Sequence, residues 1–197
     1  MALENPRYRM LLQDGDFELR AYDDYLVAEA MVRGPYDSAL TEGFRILADY
    51  IFGNNRSSEH IAMTAPVTGQ RTGGAEKIAM TVPVTAQSQG EDSYRIAFMM
   101  PSKYAMETLP RPVNTGISFR RVPGHYAAVV RFSGSLNESS GATHLGELRQ
   151  WMRSRALEAL AAPQFANYSP PWIPPFFRHN EILVEVRAPA QQQAGNA

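Results

Sequence analysis

The sequence contains no cysteine among its 197 residues. This absence excludes disulfide bonds, thiolate metal sites, cysteine nucleophiles and thioether-linked cofactors. The chain also lacks an excess of charge, because 19 Lys and Arg stand against 20 Asp and Glu, a net charge of −1. Nucleic-acid binding depends on a basic surface, so we expect no nucleic-acid partner.

Long apolar runs are absent as well. No stretch approaches the ~20 residues that a membrane-spanning helix needs. Residues 1–7 lack the basic-then-apolar pattern of a signal peptide, so we expect a cytoplasmic location. The glycine motifs of dinucleotide sites, phosphate loops and esterase nucleophile elbows are also missing. These absences favour a binding protein over an enzyme.

The first half of the chain predicts two strands and a helix. Apolar and polar residues alternate over 17–22, and extended-favouring residues follow over 25–32. We expect Asp37 or Ser38 to cap a helix whose apolar residues recur at helical spacing. The residues of this apolar stripe are Leu40, Phe44, Leu47, Ala48 and Ile51.

An internal repeat follows the helix. Residues 60–68 recur as residues 77–85, each with the pattern Met-Thr-x-Pro-Val. The segment between them contains Gly73 and Gly74, which suit a reversing turn. We predict two antiparallel strands, each interrupted or ended by its proline.

The second half predicts a similar order of elements. The predicted strands cover residues 96–100, 117–122, 125–132 and 182–186, and the predicted helix covers residues 142–160. A duplicated unit explains this order. We therefore predict one α+β domain over residues 1–187, with duplicated βαβ-type halves forming a distorted antiparallel β-barrel flanked by two helices. Residues 188–197 are predicted to be a disordered tail.

Four segments carry a resemblance to a known family. They are residues 17–22 (FELRAY), 49–55 (DYIFGNN), 61–67 (IAMTAPV) and 178–182 (RHNEI). In this order they resemble the SOUL heme-binding protein family. The resemblance implies a distorted barrel of two βαβ-type halves. It also implies that heme or another tetrapyrrole binds non-covalently in a shallow apolar groove beside the first helix, for cytosolic heme buffering, transfer or sensing.

The resemblance also suggests candidate binding residues. One branch of the family has a proposed axial histidine where this chain has Ala21, which cannot bind iron. Basic positions of other members match Thr41, Asp49 and Pro174, none of which is basic. Arg45, Arg56 or Arg178 can instead pair with the heme propionates, since a guanidinium binds a carboxylate by two hydrogen bonds. The candidate heme-binding residues are Leu40, Thr41, Phe44, Arg45, Ala48, His60 and Arg178.

Two of these assignments have alternatives. Phe44 can contact the ligand or pack in the core, where apolar helix stripes usually lie. His60 is the candidate ligand for the heme iron, since a neutral imidazole suits that role. The four histidines do not have the spacing of a zinc site.

Two other functions stay open. Glu181 could be a buried carboxylate of raised pKa, serving a hydrolase or a binder of another flat apolar molecule. It could equally form an ion pair that fixes the last strand. The segment containing Trp172, Phe176 and Phe177 among prolines could receive a peptide, which would make the protein a binding scaffold.

Overall fold

The structure, a computed structural model, describes residues 4–57, 61, 67–71, 93–169 and 173–189. It contains two α-helices, α1 (Tyr36–Ile51) and α2 (Glu138–Ser154), and a short 3₁₀ helix at Pro175–Phe177. The strands are β1 (Tyr8–Asp14), β2 (Phe17–Tyr22), β3 (Tyr25–Arg33), β4 (Val67–Arg71), β5 (Ser93–Met99), β6 (Ile117–Val122), β7 (His125–Phe132), β8 (Gln164–Asn167) and β9 (Asn180–Val186).

The strands form antiparallel pairs in the order β1-β2-β7-β9-β8-β4-β5-β3-β6. Two sections, the first β4-β5-β3-β6 and the second β1-β2-β7-β9-β8, meet where β4 pairs with β8. The α+β class is confirmed, and the predicted distorted barrel is not closed. The described strands β1 and β6 form the two ends of the order and do not pair with each other, so the sheet stays open. The duplication of halves stays a prediction.

The first section packs against α1. Alternate residues of β3 and β5 point towards the helix, and they form a core with buried Leu47, Tyr50 and Ile51. The helix approaches β5 closely at Gly43, where an added Cβ would lie 2.6 Å from Ile96 Cβ. Glycine is therefore required for this helix-to-sheet distance.

The second section packs against α2. Leu145, Leu148 and Trp151 are buried against β7 and β9. The side chain of Asn137 accepts a hydrogen bond from the Ser140 backbone, and the Ser140 side chain accepts one from the Asn137 backbone. This reciprocal cap satisfies two otherwise unpaired amides and starts α2 four residues before the predicted position.

Other element predictions met mixed outcomes. The strands predicted over residues 117–122 and 125–132 coincide with β6 and β7. The predicted side-chain cap of α1 is wrong, because Pro35 occupies the N-cap position and makes no side-chain cap hydrogen bond. Strands β1 and β8 were not predicted. Most of the Met-Thr-x-Pro-Val repeat and residues 190–197 lie outside the described residues.

Candidate functional site

The inner face of the sheet, which we define as the face away from both helices, carries most of the buried charge. Leu19 of β2 packs in the α2 core, so its neighbours Glu18 and Arg20 project to the inner face. Glu181 projects to the same face of β9, because the flanking Ile182 belongs to the α2 core. The sequence has thus placed charged residues on a face that the fold encloses.

The sheet encloses this face because it curls. Five strands separate β7 from β6 in the sheet order, yet only Pro123 and Gly124 join these two strands in the chain. The end of β6 must therefore lie beside the start of β7. At this position an added Cβ on Gly124 would lie 3.1 Å from the Tyr22 carbonyl oxygen, so the link fits tightly.

A buried charge cluster is centred on Arg20, which is 1% exposed. Its Nη1 and Nη2 donate to the two carboxylate oxygens of Glu181, each at 2.8 Å, and its Nε donates to Glu18 Oε2 at 2.6 Å. Arg20 Nη1 also donates to the Tyr22 hydroxyl at 2.8 Å. Every nitrogen of the guanidinium therefore has an acceptor, and a buried charge needs such compensation.

Glu181 has further donors. The Tyr168 hydroxyl donates to Oε2 at 2.7 Å, and His179 Nε2 donates to Oε1 at 3.0 Å. Burial on its own raises the pKa of Glu181, but the hydrogen bonds from His179 and Arg20, with the charge of Arg20, outweigh burial and lower the pKa to about 2. The predicted raised pKa is wrong for this physical reason. Glu181 stays ionised and is unsuited to the general-acid role of the alternative hydrolase.

The tyrosines of the cluster stay neutral. Burial raises the pKa of Tyr22 above its ordinary value, against the opposing effect of the Arg20 charge. Burial also raises the pKa of Tyr168, and the adjacent Glu181 carboxylate adds to this effect. Both hydroxyls therefore keep their protons at neutral pH, and the Tyr168 proton is available for its hydrogen bond to Glu181.

A cleft of about 320 Å³ lies on the inner face beside the β6–β7 link. Its apolar lining comes from Val27, Ala97, Met99 and Val122. Its polar and charged lining comes from Tyr25, Thr68, Arg95, Arg120, His125, Gln164 and Glu185. An apolar surface with a few polar groups is typical of small-molecule sites, whose volumes range from ~300 to ~1,000 Å³.

The cleft differs from the cluster in how its charges are paired. Glu29, buried beneath the cleft, contacts Arg120 Nε at 3.0 Å and Arg95 Nε at 3.6 Å. The Arg95 Nε is buried and donates no hydrogen bond to the described residues. His125 Nδ1 donates to the Pro123 carbonyl at 2.9 Å, and its ring stacks on Tyr22 of the cluster.

A second, more open groove of about 790 Å³ runs beside α2. Phe132 and His144 stack there with ring centroids 4.1 Å apart, and His144 Nδ1 lies 2.9 Å from Glu147 Oε2. Asp14 and Asp16 also line this groove. With Glu147 they place three carboxylates against one guanidinium, that of Arg131, so the groove is acidic and suits propionates poorly.

The residues predicted to form the groove beside α1 lie on two faces of that helix. Leu40 and Phe44 are half-buried against the core, and Phe44 packs edge-on against Phe98 with centroids 5.4 Å apart. Ala48 is buried, whereas Thr41 and Arg45 are exposed. The half-buried Leu40 and Phe44, one turn apart, form an apolar edge that is partly accessible to a ligand; we call this pair the α1 edge.

The predicted cationic and metal-binding residues lie elsewhere. Arg45 Nη2 pairs with Glu42 at 2.7 Å on the exposed face of α1. Arg178 follows the 3₁₀ helix, and its Nε donates to the Ile173 carbonyl at 2.8 Å. His60 lies outside the described residues. Within the part of the chain that the structure describes, no three His, Asp or Glu side chains converge on a metal position.

Sequence reasoning missed the residues of the cleft and most of the cluster. Alternation over 17–22 placed Glu18 and Arg20 opposite Leu19, which a surface strand would also do. The available signal was the pair of charged residues on one face of each strand, Glu18 and Arg20 on β2 and Glu181 and Glu185 on β9. A solvent-exposed face was the simpler interpretation, and only the curl of the sheet buries it.

Comparisons with known proteins assign the family. The sequence profile of the SOUL heme-binding protein family matches residues 3–185. The chain therefore belongs to the SOUL heme-binding protein family. No curated protein matched the sequence. Within the described residues, no helix has the length and apolar character that crossing a membrane requires.

Solved structures share the fold at low sequence identity. The EcmrR C-terminal domain matches with a TM-score of 0.62 and 13% identity, covering 92% of this chain and 99% of that one. A hydrolase from Listeria innocua matches with a TM-score of 0.57 and 12% identity, covering 90% and 94%. An uncharacterised conserved protein from the same organism matches with a TM-score of 0.61 and 13% identity, covering 87% and 92%. These likenesses concern the fold alone.

Proposed function

We propose that the protein binds heme or another tetrapyrrole non-covalently at the α1 edge, for cytosolic buffering, transfer or sensing of the ligand. The family match over residues 3–185 carries this proposal. The half-buried Leu40 and Phe44 support it, because a flat macrocycle gains affinity by covering apolar surface. Such contact contributes roughly 25 cal/mol per Å² of apolar area removed from water.

Arg45 is the cation that suits the propionates. It lies one position after Phe44 on the exposed face, and its present partner Glu42 is also exposed. Exposed ion pairs contribute only about 0–1 kcal/mol, so the guanidinium can exchange Glu42 for a propionate at little cost. A guanidinium also matches a carboxylate with two parallel hydrogen bonds.

These residues would hold heme by apolar contact with Leu40 and Phe44 and by one cation, Arg45. Ala21 occupies the strand position where one branch of the family has a proposed axial histidine, and a methyl group cannot coordinate iron. Heme would supply a redox-active or gas-binding iron when bound. The residues of the α1 edge would orient the ring and shield it from water, and no described residue there supplies an axial ligand.

A titration with hemin and with metal-free protoporphyrin tests the proposal. We expect saturable binding of both ligands, followed by absorbance and tryptophan quenching, with similar affinities. His60→Ala should then leave the Soret spectrum unchanged. If the protein strongly prefers hemin and His60→Ala abolishes this preference, iron coordination by His60 and not apolar contact is the source of affinity. The absence of saturable binding of either ligand would overturn the proposal.

A pair of matched truncations locates the site. Leu40→Ala removes part of the α1 edge, and Leu157→Ala removes the same atoms from a half-buried leucine that packs against the other core. We expect Leu40→Ala to weaken protoporphyrin binding about threefold or more, while Leu157→Ala leaves it unchanged. Equal effects of the two variants would show that the ligand does not use α1.

A further inference from the structure

The cleft on the inner face is separate from the α1 edge. Its lining comes from one or more residues of each strand from β3 to β9, from the β6–β7 link, and from Pro6 and Ala161, and no residue of α1 belongs to it. Helix α1 packs on the opposite face of β3 and β5. A ligand in the cleft would therefore be independent of a tetrapyrrole on α1.

The cleft holds opposite charges that do not pair with each other. Arg120 lies on β6 and Glu185 on β9, at different walls of the cleft. Among the described residues no ion pair or side-chain hydrogen bond engages the Glu185 carboxylate, whereas Arg120 reaches only Glu29 beneath the cleft. Both charges act on the hydroxyl of Tyr25: burial raises the pKa of Tyr25, Arg120 opposes the rise and Glu185 adds to it.

Arg95 faces the cleft with unused hydrogen-bonding capacity. Its Nε is buried, lies 3.6 Å from Glu29 Oε2 and makes no hydrogen bond in the described chain. His125 lines the same cleft, and its Nδ1 donates to the Pro123 carbonyl at 2.9 Å. A buried polar group without a hydrogen bond is costly and uncommon in folded proteins, which indicates that a ligand completes Arg95.

We propose that this cleft binds a small bipolar molecule, with an anionic group on Arg95 and Arg120, a cationic group on Glu185, and an apolar portion between them. Guanidinium groups hold a carboxylate by paired hydrogen bonds. The Glu185 carboxylate holds an ammonium group, and Val27, Ala97, Met99 and Val122 contact the apolar portion. The ligand inserts between two charges that the fold keeps apart.

The charges also distinguish this ligand from a tetrapyrrole. Glu29 and Glu185 balance Arg95 and Arg120 at the cleft, so an anion with no compensating cation gains little. The volume of about 320 Å³ lies at the lower limit of small-molecule sites. A compact molecule with one charge of each sign matches both properties.

Terminal amino acids of increasing aliphatic length are the probes: aminobutyrate, aminocaproate and aminocaprylate. Caproate lacks the ammonium group and hexylamine lacks the carboxylate, so they serve as matched single-charge controls. Binding is followed by chemical-shift changes of the backbone amides in isotope-labelled full-length protein. We expect one bipolar length to bind at least about tenfold more tightly than either single-charge control, with shifts confined to the cleft strands.

Two variants separate the charged ends. Glu185→Gln should remove the advantage of the best-binding bipolar probe over caproate, and Arg120→Gln should remove its advantage over hexylamine. Arg95→Gln provides a second test of the anionic end that leaves the Arg120–Glu29 contact in place. Glu158→Gln, in an exposed ion pair with Arg187, is the control and should change no affinity.

Three outcomes would overturn the proposal. They are the absence of saturable shifts with every probe, caproate binding as tight as that of the best bipolar probe, and hexylamine binding as tight as that of the best bipolar probe. Hemin titration of the same variants keeps the two proposals distinct. Glu185→Gln should leave hemin binding unchanged, so failure at the cleft does not remove the tetrapyrrole site, and failure of hemin binding does not remove the cleft.

Discussion

The buried charge cluster and the cleft lie on the same face of one sheet, yet they differ in how completely their charged side chains are paired. In the cluster, Arg20 meets both carboxylate oxygens of Glu181, and Tyr168 and His179 complete the carboxylate. In the cleft, Glu185 has no such partner among the described residues, and Arg95 Nε has no acceptor. Glu18 Oε1 of the cluster makes no hydrogen bond in the described chain, but it forms an ion pair with Arg131 Nε at 3.0 Å. A cluster whose charges are all paired stabilises the fold, whereas the unpaired carboxylate of the cleft is available to a ligand.

Tyr22 contacts both the cluster and the cleft. Its hydroxyl accepts from Arg20, and its ring stacks on His125, which lines the cleft. The cluster thus supports one wall of the cleft. Buried charges that lose a partner are strongly destabilising, so the comparison can be tested by removing equivalent groups from each region.

The largest effect is expected for Arg20→Met. This change leaves the Glu18 and Glu181 carboxylates buried without their main cation. The free energy of unfolding should fall by about 3–5 kcal/mol in urea denaturation. Arg121→Met is the control, because Arg121 pairs with Asp24 at the exposed surface, and its cost should stay below about 1 kcal/mol. Similar losses for both variants would contradict the structural role of the cluster.

Acid should weaken the cluster next. The pKa of Glu181 is lowered from 4.5 to about 2 in the folded protein. Between these values the unfolded chain binds more protons than the folded protein, so stability falls as the pH decreases from 4.5 towards 2. The loss attributable to Glu181 is about 3 kcal/mol over this window.

Urea titrations at a series of acidic pH values measure this loss. Glu181→Gln cannot titrate, so it should lack this part of the slope while starting from lower stability at neutral pH. An unchanged slope in Glu181→Gln would mean that another carboxylate controls acid unfolding.

A pair of hydroxyl deletions sharpens the comparison. Tyr168→Phe removes a donor to the ionised Glu181 and should cost about 1–3 kcal/mol in the free energy of unfolding. Tyr25→Phe removes a hydroxyl in the cleft and should cost less than about 0.5 kcal/mol. Thermal or urea unfolding of the two variants measures both losses in free energy. A larger loss for Tyr25→Phe than for Tyr168→Phe would contradict the distinction between the two regions.

The smallest effect on stability is expected for Glu185→Gln. This change neutralises a half-buried carboxylate without a described partner, so the free energy of unfolding should change by no more than about 0.5 kcal/mol, in either direction. Urea denaturation of the ligand-free protein measures it. A loss above about 1 kcal/mol would show that Glu185 is structural and would place it with the cluster.

Local patterns predicted the strands that are rich in apolar residues and bounded by turn residues. Strands β6 and β7 were predicted at their observed bounds because apolar residues repeat there and Pro123 and Gly124 mark the turn. Strand β1 was missed because six of its seven residues are exposed, so no buried face shows in its sequence. It is held by pairing with β2, which local periodicity does not reveal.

The site was harder to predict because its contacts are long-range. Glu181 and Arg20 are 161 residues apart in the chain, so nothing near Glu181 identified its partner. The nearby Arg178 was the obvious local cation, but its Nε donates to a backbone carbonyl instead. Predicting the cleft would have required knowing that the whole sheet curls. Family resemblance supplied the ligand class, which residue patterns alone left open.

The link of Pro123 and Gly124 has a consequence for selectivity. It ties the strand that carries Arg120 to β7, whose residue Ala127 lies opposite Glu185 on β9. A connection this short prevents Arg120 and Glu185 from moving apart by a hinge motion of their strands. The length of the β6–β7 link would then set which ligand lengths the cleft accepts. Inserting a single residue into this turn should broaden the range of accepted ligand lengths without altering either charge.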